Sequence, residues 1–409
     1  LTGRDIEALR ATLAKANDEE VTRLVAMLDR MRDRGALDGL VAVVRPRLAR
    51  LRPERPLSFV RLLFLPLDPL IVPAGIWRFD QPAIPRIALR PLADTVRAAL
   101  GGAAPIVDEI IKGGVSKGSG SREPPNVARA GALLWPAAAD AIARSVVPAD
   151  WTERTGLSEA EYGVLADNVA LVMAQVPRLR CLVAEVEVGL PIRPDALHAM
   201  LRIGQPVALA MMMTLILGCL PQAMTVLAPR RGRNRALAPA MDTAKLMLLG
   251  RFEAQDVIEA AVMSANAQVV AADIRRTVML LRMLQEETAP GSAVRVQRLL
   301  GRLDDVCLAR VAAGMRRDFI GRLERLTPDA DDDEIIRLED TVRGLGEIAV
   351  AGSMIGGNRA YGILVQQMVD AVETYAPPAP LTRGDRARMI ELLIGPAGAW
   401  RILETLPGN

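Results

Sequence analysis

Histidine is almost missing from this sequence. One histidine, His198, stands among 409 residues. A usual zinc cluster and a nucleophile–histidine relay therefore have little to build on. His198 lies beside Met200 and Leu201 in a segment opened by Asp195, and it reads as a structural residue. Cysteine is scarce too. Cys181, Cys219 and Cys307 are far apart, odd in number and set in apolar surroundings, which predicts buried free thiols in a reducing compartment rather than a disulfide framework. No spacing requires Cys181 and His198 to pair.

Aromatic residues make up 3% of the chain while hydrophobic residues make up 51%. The core must therefore be built from Ala, Leu, Val, Ile and Met. Strands favour β-branched and aromatic side chains, whereas Ala, Leu, Met and Arg favour helix, so the composition leans to helix before any periodicity is read. Lysine occurs at Lys15, Lys112, Lys117 and Lys245, and arginine supplies the rest of the positive charge. Coding bias accounts for that balance; selection for bidentate anion contacts is the functional alternative. The formal net charge of +3 gives no general argument for nucleic acid or membrane binding. Arg4, Asp5, Glu7 and Arg10 interrupt any apolar run at the start, so no secretory signal is visible and a cytoplasmic location is expected.

Apolar stripes mark short helices at Ile6–Leu13, at Val21–Met31 behind Asp18, and at Leu40–Leu51, where Pro46 bends or splits the run. The character then changes. Pro53, Pro56, Pro66, Pro69, Pro73, Pro82, Pro85 and Pro91 crowd a segment that is nevertheless apolar. A long helix cannot carry that density of proline, and a solvated linker would not carry so many large apolar residues. The segment at about 53–91 is expected to be ordered and irregular, packed on helices, with one short helix at 57–64. A helical stretch follows to Lys112, and Gly113 to Asn126 reads as a flexible loop. This predicts a short-helix region at 1–112, a Gly/Ser/Pro loop at 113–126 and a helical bundle at 127–409.

Beyond the loop, a helix is expected from Ala128 to Val147. Ser158 and Glu161 form a capping-box pattern that opens another, stopped by Pro177. From Ala254 to Glu287 there is neither proline nor glycine, which predicts one helix of roughly 50 Å. Pro290 and Gly291 are expected to form a turn before a second long helix through Leu299 and Phe319 to Leu323. Further helices are expected at about 332–351, 358–375 and 383–394, with Gly352, Gly356 and Gly357 permitting a tight turn. The fold class is all-α, a multi-helix bundle or irregular helical array with long antiparallel helices in the C-terminal half. No repeat of fixed period is present.

Several segments invite a functional reading. The acidic run Asp329, Asp331, Asp332, Asp333 and Glu334 lacks the layout of a calcium loop and sits where a helix begins, so it reads as capping. Lys112 to Arg122 is rich in Gly and Ser with flanking cations but lacks the Walker spacing. Two arginine clusters, Arg45, Arg47, Arg50, Arg52 and Arg55, and Arg230, Arg231, Arg233 and Arg235, are candidates for an anionic partner: nucleic acid, acidic protein or acidic lipid. Ile203 to Pro229 has no charged residue, yet Pro206 and Pro221 confine its helix to a length suited to a buried core; membrane association is the minority reading. Phe59, Phe64, Leu67 and Trp77 are candidates for an apolar partner surface.

No motif implies a cofactor or a metal. The expectation is a non-enzymatic helical protein that acts through protein–protein contacts as scaffold, adaptor or regulatory subunit, with a protein partner or a second copy of itself. An anion-binding protein using the arginine clusters is the alternative, and an α-helical enzyme whose polar residues converge only in three dimensions is the third.

Overall fold

Ser58 opens the first helix of the described chain. Its hydroxyl accepts from the Arg61 amide at 3.3 Å and caps Phe59–Phe64. Pro66 then sits in the first turn of a tight 3₁₀ segment, Leu65–Leu70, where its missing N–H costs nothing. Two extended residues follow, Ile71–Val72, paired in parallel with Ile84–Pro85 in the register Ile71 to Ile84 and Val72 to Pro85. From residue 58 onward the proline-dense segment is thus ordered and irregular, as its composition predicts.

The computed structural model describes residues 58–112, 125–228, 235–254, 257–262, 266–287, 290–327, 330–375 and 381–405. The fold is all-α: among the described residues that one two-residue pairing is the only strand structure. Two units divide the chain. The first comprises Arg55–Ala254 with Leu280–Val296, and the second takes in Gln255–Met279 and Gln297–Asn409. The division does not fall at 113–126. Leu89–Leu100 and Ala103–Lys112 before that segment pack on Pro125–Ala143 after it, all within the first unit.

The first unit is organised around two apolar helices. Pro125–Ala143 receives Phe59–Phe64, Leu89–Leu100 and Glu159–Met173. The Trp135 indole N–H donates to the Leu62 carbonyl at 3.1 Å, which ties the proline-dense segment to this helix. Pro206–Cys219 packs against Ala238–Ala254, Glu159–Met173 and the 3₁₀ segment. Ala208, Ala210 to Leu217 are all buried, so this helix is enclosed on every side. Its length of about 21 Å is short of a bilayer's roughly 30 Å of hydrocarbon, and among the described residues no helix is long and apolar enough to cross a membrane. The helix in this uncharged stretch is thus buried core, the reading its flanking prolines favour. The capping box at Ser158 and Glu161 forms as expected. Pro177, though, starts the next helix, Val176–Glu187, rather than ending the previous one, because proline suits a first turn as well as a stop.

In the second unit Met315, Phe319, Leu338, Val342, Met368, Val369, Val372 and Ile390 form one apolar core between Asp332–Gly352, Asn358–Thr374 and Arg383–Ile394. The acidic run does cap: the Asp331 carboxylate accepts from the Glu334 amide at 2.9 Å. Gly356, at φ 140°, supplies the turn between the 332–352 and 358–374 helices. The helix expected from Ala254 to Glu287 is interrupted. Val257–Val262 and Ala267–Glu287 are separate, and the Asn266 side-chain oxygen accepts from the amides of Gln268 and Val269 at 3.0 and 3.3 Å. Asparagine is among the strongest helix N-caps, so a new helix starts here without any proline or glycine to break the run. Pro290, expected in a turn, opens the 25-residue helix Pro290–Gly314. That helix continues through a π-helical segment, Met315–Ile320, into Gly321–Leu323. A further helix, Pro396–Thr405, follows with Pro396 in its first turn.

Candidate functional site

Arg45, Arg47, Arg50, Arg52 and Arg55 lie outside the described residues, as do Arg230, Arg231 and Arg233; the backbone of Arg235 begins a short 3₁₀ turn, Arg235–Leu237. Phe59, Phe64, Leu67 and Trp77 correct the sequence reading. All four are buried in the first unit and present no partner surface. The cause is the folding back of the proline-dense segment, whose side chains fill the space over Pro125–Ala143 and Pro206–Cys219.

The same segment does expose two other large apolar residues. Trp77 is an anchor: its indole N–H donates to the Ala83 carbonyl at 2.9 Å. Around it the loop is tied by backbone bonds, from Ile76 N to Pro73 O at 3.2 Å, Gln81 N to Arg78 O at 3.0 Å and Ala83 N to Gln81 O at 2.8 Å. The parallel pairing of 71–72 with 84–85 closes its base. Ile76 and Phe79 project from this frame and are 55% and 59% exposed, with exposed Arg78 and Asp80 beside them. In the second unit Trp400 is 66% exposed on Pro396–Thr405, whereas Trp77, Trp135 and Trp151 are buried in the first.

Among the described residues polar side chains also converge elsewhere. In the first unit a shallow groove of about 490 Å³ is lined by Thr95, Asp140, Arg144, Ser145 and Val146. The Ser145 hydroxyl donates to the Ile142 carbonyl at 2.6 Å and meets the Tyr162 hydroxyl at 2.5 Å. With its proton directed at a backbone carbonyl, Ser145 closes the end of the 125–143 helix rather than standing ready as a nucleophile. In the second unit the Tyr361 hydroxyl donates to Asp304 Oδ1 at 3.1 Å, with Cys307 within hydrogen-bonding reach. Burial, then the Asp304 charge, pushes the Cys307 thiol up to about 12. Burial raises Tyr361 as well. Both therefore stay protonated at neutral pH, and the cluster is a clamp between helices.

Cys307 is buried as expected, but Cys219 is only partly so and Cys181 is exposed, contrary to the expectation for all three. Cys181 follows Arg180 on an outward face of Val176–Glu187 whose inward positions are Val176, Leu179 and Leu182. His198 places Nδ1 2.7 Å from the Pro194 carbonyl within its own helix. Among the described residues no three His, Cys, Asp or Glu side chains group as metal ligands. Compared with known proteins, the chain matches no family model, no curated protein and no solved structure.

Proposed function

We propose that this protein acts by binding another protein, as a scaffold, adaptor or regulatory subunit, and that the 73–81 loop is a contact surface. The observation that supports this reading is the display of Ile76 and Phe79 on a loop held by Trp77 and its backbone hydrogen bonds. An apolar side chain of this size gains about 1.5–3 kcal/mol on full burial. A loop already fixed in shape loses little conformational freedom when a partner covers it. Aromatic residues surrounded by polar neighbours are the usual anchors of such contacts.

The test is a comparison of the wild type with Ile76→Ser/Phe79→Ser. Both side chains are outside the core, so the variant keeps the wild-type melting temperature. Affinity capture from the native host, read by mass spectrometry, and light scattering of the purified chain then report a heterologous partner or a second copy. The reading requires that the associated species be lost in the variant. Retention of the same species at the same level in both, or a wild type that associates with nothing, refutes it.

A further inference from the structure

The π-helical segment of the second unit carries an arginine group that the sequence reading did not single out. Met315 and Phe319 turn into the core, which leaves Arg316, Arg317 and Asp318 on the other side. Asp318 and Arg317 form a bidentate pair, Nε to Oδ1 at 2.8 Å and Nη2 to Oδ2 at 2.9 Å. Arg310, Asp318 and Arg322 follow one another at spacings of two and one four-residue steps along a continuous helix, which places them on one face. The charges of Arg310 and Arg322 both reach Asp318 and join Arg317 in holding its carboxyl below the ordinary range.

The group is unbalanced. One carboxylate faces three guanidinium groups, and it is engaged by Arg317. Arg310 and Arg322 make no ion pair with a carboxylate among the described residues. The Arg310 Nε is also buried with no hydrogen-bond partner, and a buried donor left unmade is destabilising. Like charges gathered on one face repel, and a counter-anion relieves both the repulsion and the orphaned donor.

We propose that Arg310 and Arg322, with the Arg317–Asp318 pair as the fixed edge, form a binding site for a phosphate group. The excess of two positive charges suits a doubly charged anion. A carboxylate occupies one guanidinium fork, as Asp318 does with Arg317, whereas a tetrahedral phosphate offers oxygens to two forks at once. Free phosphate and a phosphate monoester share this chemistry. The site belongs to the second unit and the 73–81 loop to the first, and the existence of the site does not depend on the proposed protein contact.

Isothermal titration of the full chain with sodium phosphate, and separately with phenyl phosphate, tests the site against sodium chloride and benzoate at matched ionic strength and pH. The wild type binds phosphate and not benzoate. Arg322→Gln, an exposed position, weakens binding by about tenfold or more, and Arg310→Gln/Arg322→Gln abolishes it. Asp318→Asn tightens binding, because it removes the opposing carboxylate and frees Arg317. Should the double variant fail to fold, the opposite signs of Arg322→Gln and Asp318→Asn still decide the matter. Tighter binding of phenyl phosphate assigns the site to an ester; equal or weaker binding assigns it to free phosphate. Absence of phosphate binding by the wild type, or equal binding by Arg322→Gln and Asp318→Asn, overturns the proposal.

Discussion

Replacing Gly352 by alanine places a methyl group inside the ring of Tyr361. A Cβ built at Gly352 lies 2.4 Å from Cζ, 2.6 Å from Cε1 and 2.6 Å from the hydroxyl oxygen. Ordinary carbon contacts are about 3.5–4.0 Å, so the ring must move by roughly an ångström. It has little freedom to do so. Tyr361 is fully enclosed, and its hydroxyl is held by Asp304 at 3.1 Å. On the far side Gly357 admits the Asp304 carboxylate, whose oxygens lie 3.0 Å from where a Gly357 Cβ would stand. Overpacking costs about 1–3 kcal/mol and a broken buried hydrogen bond about 1–3, while alanine returns about 1 through helix propensity. The expected net loss is about 1–5 kcal/mol. Gly362 is the control, since it stands in the Asn358–Thr374 helix of the same unit with nothing within 4 Å of its added Cβ. Gly362→Ala should gain about 0.5–1 kcal/mol. Urea denaturation of the two variants and the wild type measures both. In a Tyr361→Leu background most of the Gly352→Ala cost should disappear, with a coupling of about 1 kcal/mol or more. A Gly352→Ala variant as stable as Gly362→Ala, or a cost unchanged by Tyr361→Leu, refutes the close approach of helix and ring as the reason for glycine here.

Three further outcomes are expected. The Cys307 thiol is raised from 9.0 to about 12, so the folded state keeps a proton that the unfolded chain gives up; the stability this contributes is complete below about pH 9 and falls as pH rises towards 12, by up to about 1.4 kcal/mol per unit. Cys307→Ala should show a shallower decline over that window, and identical slopes in chemical denaturation would speak against the buried thiol as its source. Asn266→Ala removes the cap on Ala267–Glu287 and should cost about 1 kcal/mol, read as a lower urea midpoint, while Asn266→Ser should restore most of it. Trp77→Ala should cost about 3–5 kcal/mol in the same assay, against less than about 0.5 for Phe79→Ser at its exposed neighbour; equal losses would mean that Phe79 is packed rather than displayed.

Helix type and several of its ends were legible from local chemistry. Ser158 with Glu161, Asp331 ahead of an acidic first turn, and the residues that bound the 332–352, 358–374 and 383–394 helices act through neighbours three or four positions away, so a single segment carries the information. Where local chemistry has two solutions, the sequence alone could not choose. Pro177 and Pro290 serve equally as stops and as first-turn residues, and Asn266 as surface residue or cap. The candidate surface shows the same limit more sharply. Phe59, Phe64, Leu67 and Trp77 do not differ in composition from Ile76 and Phe79, all apolar residues of one proline-dense segment. Only the pairing of Ile71 with Ile84 and the hydrogen bonds from Trp77 to Ala83 and from Trp135 to Leu62 decide which of them turn inward. Likewise Arg310 and Arg322 are ordinary members of an arginine-rich chain until a continuous helix with one π-helical turn brings them to the same carboxylate. The sequence by itself determined the helices, because propensity and capping are short-range. Tertiary structure decided burial and the gathering of charge, because both depend on contacts between residues far apart along the chain.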